Sequence, residues 1–166
     1  MFTENPFEPK DKKGKLSGLL NTLTILSIIA NILGLISPIF AFINAKSNYE
    51  RMEEMMSSKK FASAPGYIKF FFNEENLSMS KKMYENRIPL LIICVISALL
   101  CLYGAIEMRK LKKQGFPLWL IGELLIHIGS LLFVGLSSLL GFNLISILFS
   151  GIFIFLYNKS RKELIY

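Results

Sequence analysis

Apolar residues in this chain fall into four long runs separated by polar gaps. The first run covers residues 16–43, the second 88–108, the third 117–136 and the fourth 139–157. A bilayer core of ~30 Å needs about 20 apolar residues per helix, so each run is long enough to cross a membrane. Pro89 and Pro117 stand at the starts of the second and third runs, where the missing N–H of proline costs nothing. Residues 135–141 (GLSSLLG) read as the turn between the last two. The pattern predicts an all-α integral membrane four-helix bundle, up-down-up-down, with no cleaved leader at the N-terminus. The apolar stretch there is longer than the usual signal-peptide core.

Within each run, small and weakly polar residues recur at spacings of three and four. In the first they are Ser17, Asn21, Thr24, Ser27, Asn31 and Gly34. The second has Cys94, Ser97, Cys101 and Gly104, and the fourth Asn143, Ser146 and Ser150. In the third, Gly115, Gly122 and Gly129 repeat every seven residues. Lipid is as apolar as leucine, so membrane helices associate through such small residues. A seven-residue repeat keeps one seam facing its partner and predicts left-handed packing. These faces are therefore expected to be helix contacts; a solute path between the helices is the functional alternative. Cys94 and Cys101 lie about 10 Å apart along one helix, too far for a disulfide, and read as small contact residues.

The gap 44–87 is too long for a structureless connector. Residues 45–60 place Tyr49, Met52 and Met56 on one helical face, and residues 77–87 do the same with Met79, Met83 and Tyr84. Spans one and two are thus expected to extend beyond the membrane as a helical extracytoplasmic hairpin. Between them lies Tyr67, Ile68, Phe70, Phe71 and Phe72, an aromatic run outside any span, after a Pro65–Gly66 turn signal. Its simpler reading is a segment dipping into the headgroup layer or covering the bundle. Its sharper reading is a docking patch for a partner protein.

Composition agrees with this pattern and adds orientation. Hydrophobic residues make up 52% of the 166 and charged residues 19%, with mean hydropathy +0.47. That balance excludes a disordered chain, a disulfide scaffold and an ordinary soluble enzyme. The net charge of +7 could suggest nucleic acid, but its placement says otherwise. Lysine and arginine concentrate in the N-terminal arm 1–15, the short loop 109–116 and the tail 158–166, which hold 11 of the 19 in 32 positions. Basic loops stay cytoplasmic, so both termini are placed there, and anionic lipid is the bland partner of that face.

All but two of the 31 charged residues lie outside the four runs. Glu107 sits at a span edge beside Arg109 and Lys110, where it is expected to be solvated or paired within the loop. Glu123 is inside the third span, one helical turn from His127, the single histidine. From Pro117 the helix rise puts them ~9 and ~15 Å deep. A charge at that depth is expensive, so the pair must be neutral or satisfied. The expected reading is a satisfied polar pair, completed by Asn31, Asn21 or helix backbone. A proton relay and a contact to a partner subunit are the functional alternatives. One histidine excludes a multi-histidine zinc site. No GxSxG, GxxxxGK[ST], HExxH or GxGxxG occurs, so no enzyme, metal or cofactor is expected, and no small-molecule substrate is identifiable.

Two stretches resemble a family of uncharacterised bacterial four-span membrane proteins. They are residues 19–37 (LLNTLTILSIIANILGLIS) and residues 83–125, in which MRKLKKQGFPLWLIGELL is the most specific part. The resemblance implies an integral inner-membrane protein of bacterial source. It brings no known activity, so no functional residue carries over. The expected function is a non-enzymatic accessory or scaffolding subunit that binds other membrane proteins or itself. The alternative is a small proton-coupled transporter or channel acting as a homo-oligomer.

Overall fold

A computed structural model describes residues 16–139 and 142–166. The N-terminal arm with Lys10, Lys12, Lys13 and Lys15 therefore lies outside the described residues. The described residues are mostly helical, with no strand among them. Four helices are long and apolar enough to cross a membrane, the make-up of a multi-pass membrane protein.

Helix α1 (Gly18–Ser57) starts where Ser17 caps it, its side chain accepting from the Leu20 N–H at 3.2 Å. It runs 40 residues without a break, through Pro38. Proline inside a helix removes one backbone bond, and the neighbouring turns carry the continuity here. Beyond the apolar run, the ion pair Lys46–Glu50 and the Tyr49–Glu53 bond, each four residues apart, support the polar extension. The helix ends at Ser57, three residues short of the expected end at Lys60.

Two short helices, α2 (Lys59–Ala62) and α3 (Gly66–Phe71), turn the chain around. Helix α4 (Glu74–Glu85) begins at Asn73, which accepts from the Asn76 N–H, and Glu74 and Glu75 favour its positive end. It returns along the end of α1. Tyr49 and Tyr84 stack with ring centroids 6.2 Å apart, and Arg87 lies over the rings of Phe42 and Tyr84. The helical pairing expected from the methionine and tyrosine spacing is thus the pairing of α1 with α4.

Helix α5 (Arg87–Arg109) follows after a break at Asn86. Helix α6 (Gly115–Phe133) starts two residues before Pro117, and Gly135 ends it with φ +99°. A 3-10 turn at Leu136–Leu139 leads towards α7 (Phe142–Ser160). The helices of spans three and four are thus offset by two to three residues from the apolar runs. Hydropathy marks the greasy stretch, whereas hydrogen bonding and glycine set the helix ends.

The closest packing is between α5 and α6, and glycine is the reason. A Cβ on Gly104 would stand 2.5 Å from the Trp119 backbone nitrogen, and one on Gly115 2.5 Å from that of Met108. At Gly122 it would meet Cys101 Sγ at 2.6 Å and at Gly129 the Ile93 side chain at 2.7 Å. The heptad glycines of α6 therefore lie directly on the backbone or side chains of α5. Helix α1 packs on the other side of α5, and α7 closes the bundle with lighter contacts.

The two ends of the bundle differ. At one end the core is dense: Leu20, Leu23, Ala105, Met108, Trp119 and Tyr157 are almost fully buried. There the tail folds back on the 110–113 loop. The Ile165 and Tyr166 N–H groups donate to the Leu111 carbonyl, and Lys113 N–H donates to the Tyr166 carbonyl. Leu111 adopts φ 60°, unusual for a branched side chain, and is held by its burial and by the tail. At the other end Asn86 Nδ2 donates to the Phe133 carbonyl and links the α4–α5 junction to the end of α6. The basic loop and the basic tail thus share one end, and the α1–α4 pair rises from the other.

Candidate functional site

The half of the bundle away from the dense core is hollow. A cavity of about 340 Å³ lies between α1, α5, α6 and α7. Its floor is set by Ser27, Cys101, Trp119 and Phe153, and it continues past Glu123 and His127 to Gly34, Ser130 and Ser138. The floor is closed beneath by Tyr157, which packs on Trp119 with centroids 4.6 Å apart and bonds Ser27 Oγ at 2.8 Å.

Ser150 of α7 connects the intramembrane pair. Its hydroxyl donates to Glu123 Oε1, and His127 Nε2 lies 3.1 Å from Ser150 Oγ. With the serine proton committed to the carboxylate, the imidazole serves as donor to Ser150 through Nε2–H. On the far side Cys101 Sγ, 3.8 Å from Glu123 Oε2, adds a weak thiol donor and also reaches the Trp119 carbonyl at 3.4 Å. A hydrogen-bonded series therefore runs His127, Ser150, Glu123, Cys101 across three helices. Glu123 thus meets only neutral groups of other helices, the Ser150 hydroxyl and the Cys101 thiol.

The expected completion of the Glu123–His127 pair by Asn31, Asn21 or backbone is corrected here: the bridging group is Ser150. Asn31 lines the cavity but donates 2.7 Å to the Ser27 carbonyl of its own helix. Asn21 is occupied at its backbone by the Ser17 carbonyl. Helix direction explains this outcome, since the α6 face carrying Glu123 and His127 turns towards α7 as its glycine face turns towards α5. The arrangement also differs from a hydrolytic triad. There the acid orients the histidine and the histidine activates the serine, whereas here the acid holds the serine proton itself.

The other singled-out residues divide by place. Thr24 and Ser27 are buried at contacts, Thr24 accepting from Arg109 Nη1 at 3.3 Å. Gly122 and Gly129 sit at the tight α5 approach described above. Gly34 departs from the expected packing face: a Cβ there would meet nothing within 4 Å, because the position borders the cavity instead. Of the aromatic run, Tyr67 and Phe70 are 66% and 73% exposed and Phe71 is also exposed. Ile68 and Phe72 are half-buried, Ile68 bordering a groove with Met55 and Phe61.

One group escaped the sequence reading, Tyr157, whose hydroxyl bonds Ser27 at the cavity floor; its place at a span end gave no signal. Glu107 takes the second of its two expected settings, paired within its own loop, and is only 1% exposed. Lys112 and Lys110 reach its oxygens at 2.6 and 2.9 Å and Gln114 at 3.0 Å. No group of three or more metal-binding side chains occurs among the described residues. Comparison of the chain with protein-family models, with curated proteins and with solved structures yields no match.

Proposed function

We propose that this chain is a non-enzymatic accessory or scaffolding subunit of a bacterial inner-membrane complex, with both termini cytoplasmic and the α1–α4 pair on the outer side. Membrane residence is supported by the apolar outer faces, on which residues such as Ile29, Leu33, Phe40, Leu132 and Phe155 are exposed. The orientation rests on the basic residues gathered at the end where the tail meets the 110–113 loop. Reporter fusions at Gly66 and after Tyr166 should report opposite sides; the same side for both would sink the four-span arrangement.

The observation that carries the subunit reading is the position of the aromatic cluster. From Ile43 to Ser57 α1 rises ~21 Å, and still ~16 Å if tilted by 40°. A headgroup layer is only about 5–8 Å deep on each side. Tyr67, Phe70 and Phe71 at the turn of the hairpin thus stand beyond the lipid interface, which favours a protein partner over the headgroup reading. Lys59, Lys60 and Lys69 flank the cluster and suit an acidic rim. Purification from native membranes in mild detergent should yield a stoichiometric partner with the native chain. The triple variant Tyr67→Ser, Phe70→Ser, Phe71→Ser should lose it while keeping the helical content. Recovery of the native chain alone would count against the subunit reading.

The cavity favours a second reading, a small proton-coupled transporter working as a homo-oligomer. The His127–Ser150–Glu123 series offers exchangeable protons at mid-membrane depth, and the sealed floor beside an open upper half resembles one face of an alternating-access cycle. Liposomes showing no uptake over a broad solute panel would remove it.

A further inference from the structure

We propose that the cavity between α1, α5, α6 and α7 is a binding site for a small organic ammonium ion, held by the Glu123 carboxylate between aromatic walls. The inference concerns binding, and it stands whether or not the ligand is also transported.

Size narrows the occupant first. A volume of about 340 Å³ is roughly ten times the ~30 Å³ share of one water and falls at the lower end of small-molecule sites. It is far larger than a bare metal ion requires. Charge narrows it next. Glu123 receives only neutral donors, the Ser150 hydroxyl and the Cys101 thiol. A carboxylate offers about four lone-pair directions, so room for a charged donor remains. No lysine or arginine lines the cavity among the described residues. An ionised carboxylate at this depth requires a positive counterpart, because isolated charge in an apolar setting is expensive, and His127 reaches it only through Ser150.

The walls select the kind of cation. Trp119, Phe149 and Phe153 border the space, and aromatic faces attract organic ammonium groups through the ring quadrupole. A small hydrated metal ion gains little from such rings. Choline and ethanolamine are small organic ammonium ions that suit a space of this size. A lipid headgroup does not reach it: Glu123 lies ~9 Å along α6 from Pro117 and ~15 Å from Phe133, deeper than a headgroup layer of about 5–8 Å.

The test uses the full chain purified in detergent and titrated calorimetrically with choline and ethanolamine. The neutral choline isostere 3,3-dimethylbutanol and sodium chloride serve as comparisons. Saturable binding of at least one ammonium probe is expected, weakened tenfold or more when the charge is replaced by the neutral isostere. Glu123→Gln should weaken it by a similar factor. Because that change also touches the Ser150 bond, Gly34→Phe provides a second route. The glycine position has open space around it and borders the cavity, so the ring should occlude the site in a folded chain. Loss of binding in either folded variant supports the proposal. It is overturned if the native chain binds no ammonium probe, if the isostere binds equally well, or if both variants bind as the native chain does. Binding without uptake into liposomes would keep the site and remove only the transporter reading.

Discussion

Gly104→Ala should destabilise the bundle by about 2 kcal/mol or more, the upper part of the range for overpacked sites. The added methyl would stand 2.5 Å from the Trp119 nitrogen, 2.7 Å from the Gly115 carbonyl oxygen and 2.8 Å from the Trp119 Cα. All three are backbone atoms, so no rotamer change relieves the clash. The helices must separate, and the seam then loses contact at Gly115 and Gly122 as well. Gly129 is the milder member, because its neighbours are the Cγ2, Cδ1 and Cβ atoms of a single side chain, Ile93. Gly34→Ala and Gly151→Ala are the controls, since a Cβ at either meets nothing within 4 Å. In a helix interior they should be neutral or slightly stabilising, because alanine is the better helix former. Thermal unfolding in detergent, followed by circular dichroism, ranks the four. A Gly104→Ala midpoint equal to that of the controls would show that α5 and α6 are not in the close contact described.

That seam was legible in the sequence because three glycines seven apart have few other uses in a membrane helix. The spans were legible for a similar reason: lipid imposes one requirement on every outward residue, and runs of leucine, isoleucine and phenylalanine meet it. What depended on which helix lies next to which was not legible. Gly34 shares the spacing of Ser27 and Asn31, yet it borders the cavity and a Cβ there meets nothing within 4 Å. Ser150 could be placed on a polar face of its span, but not against Glu123. Periodicity gives the face of a helix and leaves the rotation of its neighbour open. The helical continuation of α1 past its apolar run was legible as well, because Tyr49, Met52 and Met56 share one helical face, and the backbone ladder runs on through Pro38.

Glu107→Ala should cause the second large effect, a drop of several degrees in unfolding midpoint together with loosening of the α5–α6 loop. The carboxylate belongs to the last turn of α5, where the helix dipole disfavours negative charge. It is tolerated because three donors converge on it: Lys112, Lys110 and Gln114, all from the turn that leads into α6. The Lys112 backbone N–H also donates to the Glu107 carbonyl at 3.1 Å, so side chain and main chain fasten the same turn. The tail is tied to that turn through the Leu111 carbonyl, and release of Glu107 should therefore free the C-terminus too. Protease sensitivity at Lys110, Lys112 and Lys113 reads this directly. The hydrogen bond from Lys112 to Glu107 raises the lysine pKa above its ordinary 10.5. A group whose folded value is raised contributes stability that is fully present below the ordinary value and is lost as pH rises through the folded one. The native chain should therefore lose stability in strongly alkaline solution by a step that Glu107→Gln lacks. Glutamine keeps an acceptor but not the charge, so its neutral-pH midpoint should fall between those of the native chain and Glu107→Ala. Equal midpoints for native and alanine chains, with unchanged proteolysis, would mean that the lysines and Gln114 do not hold the loop through this carboxylate.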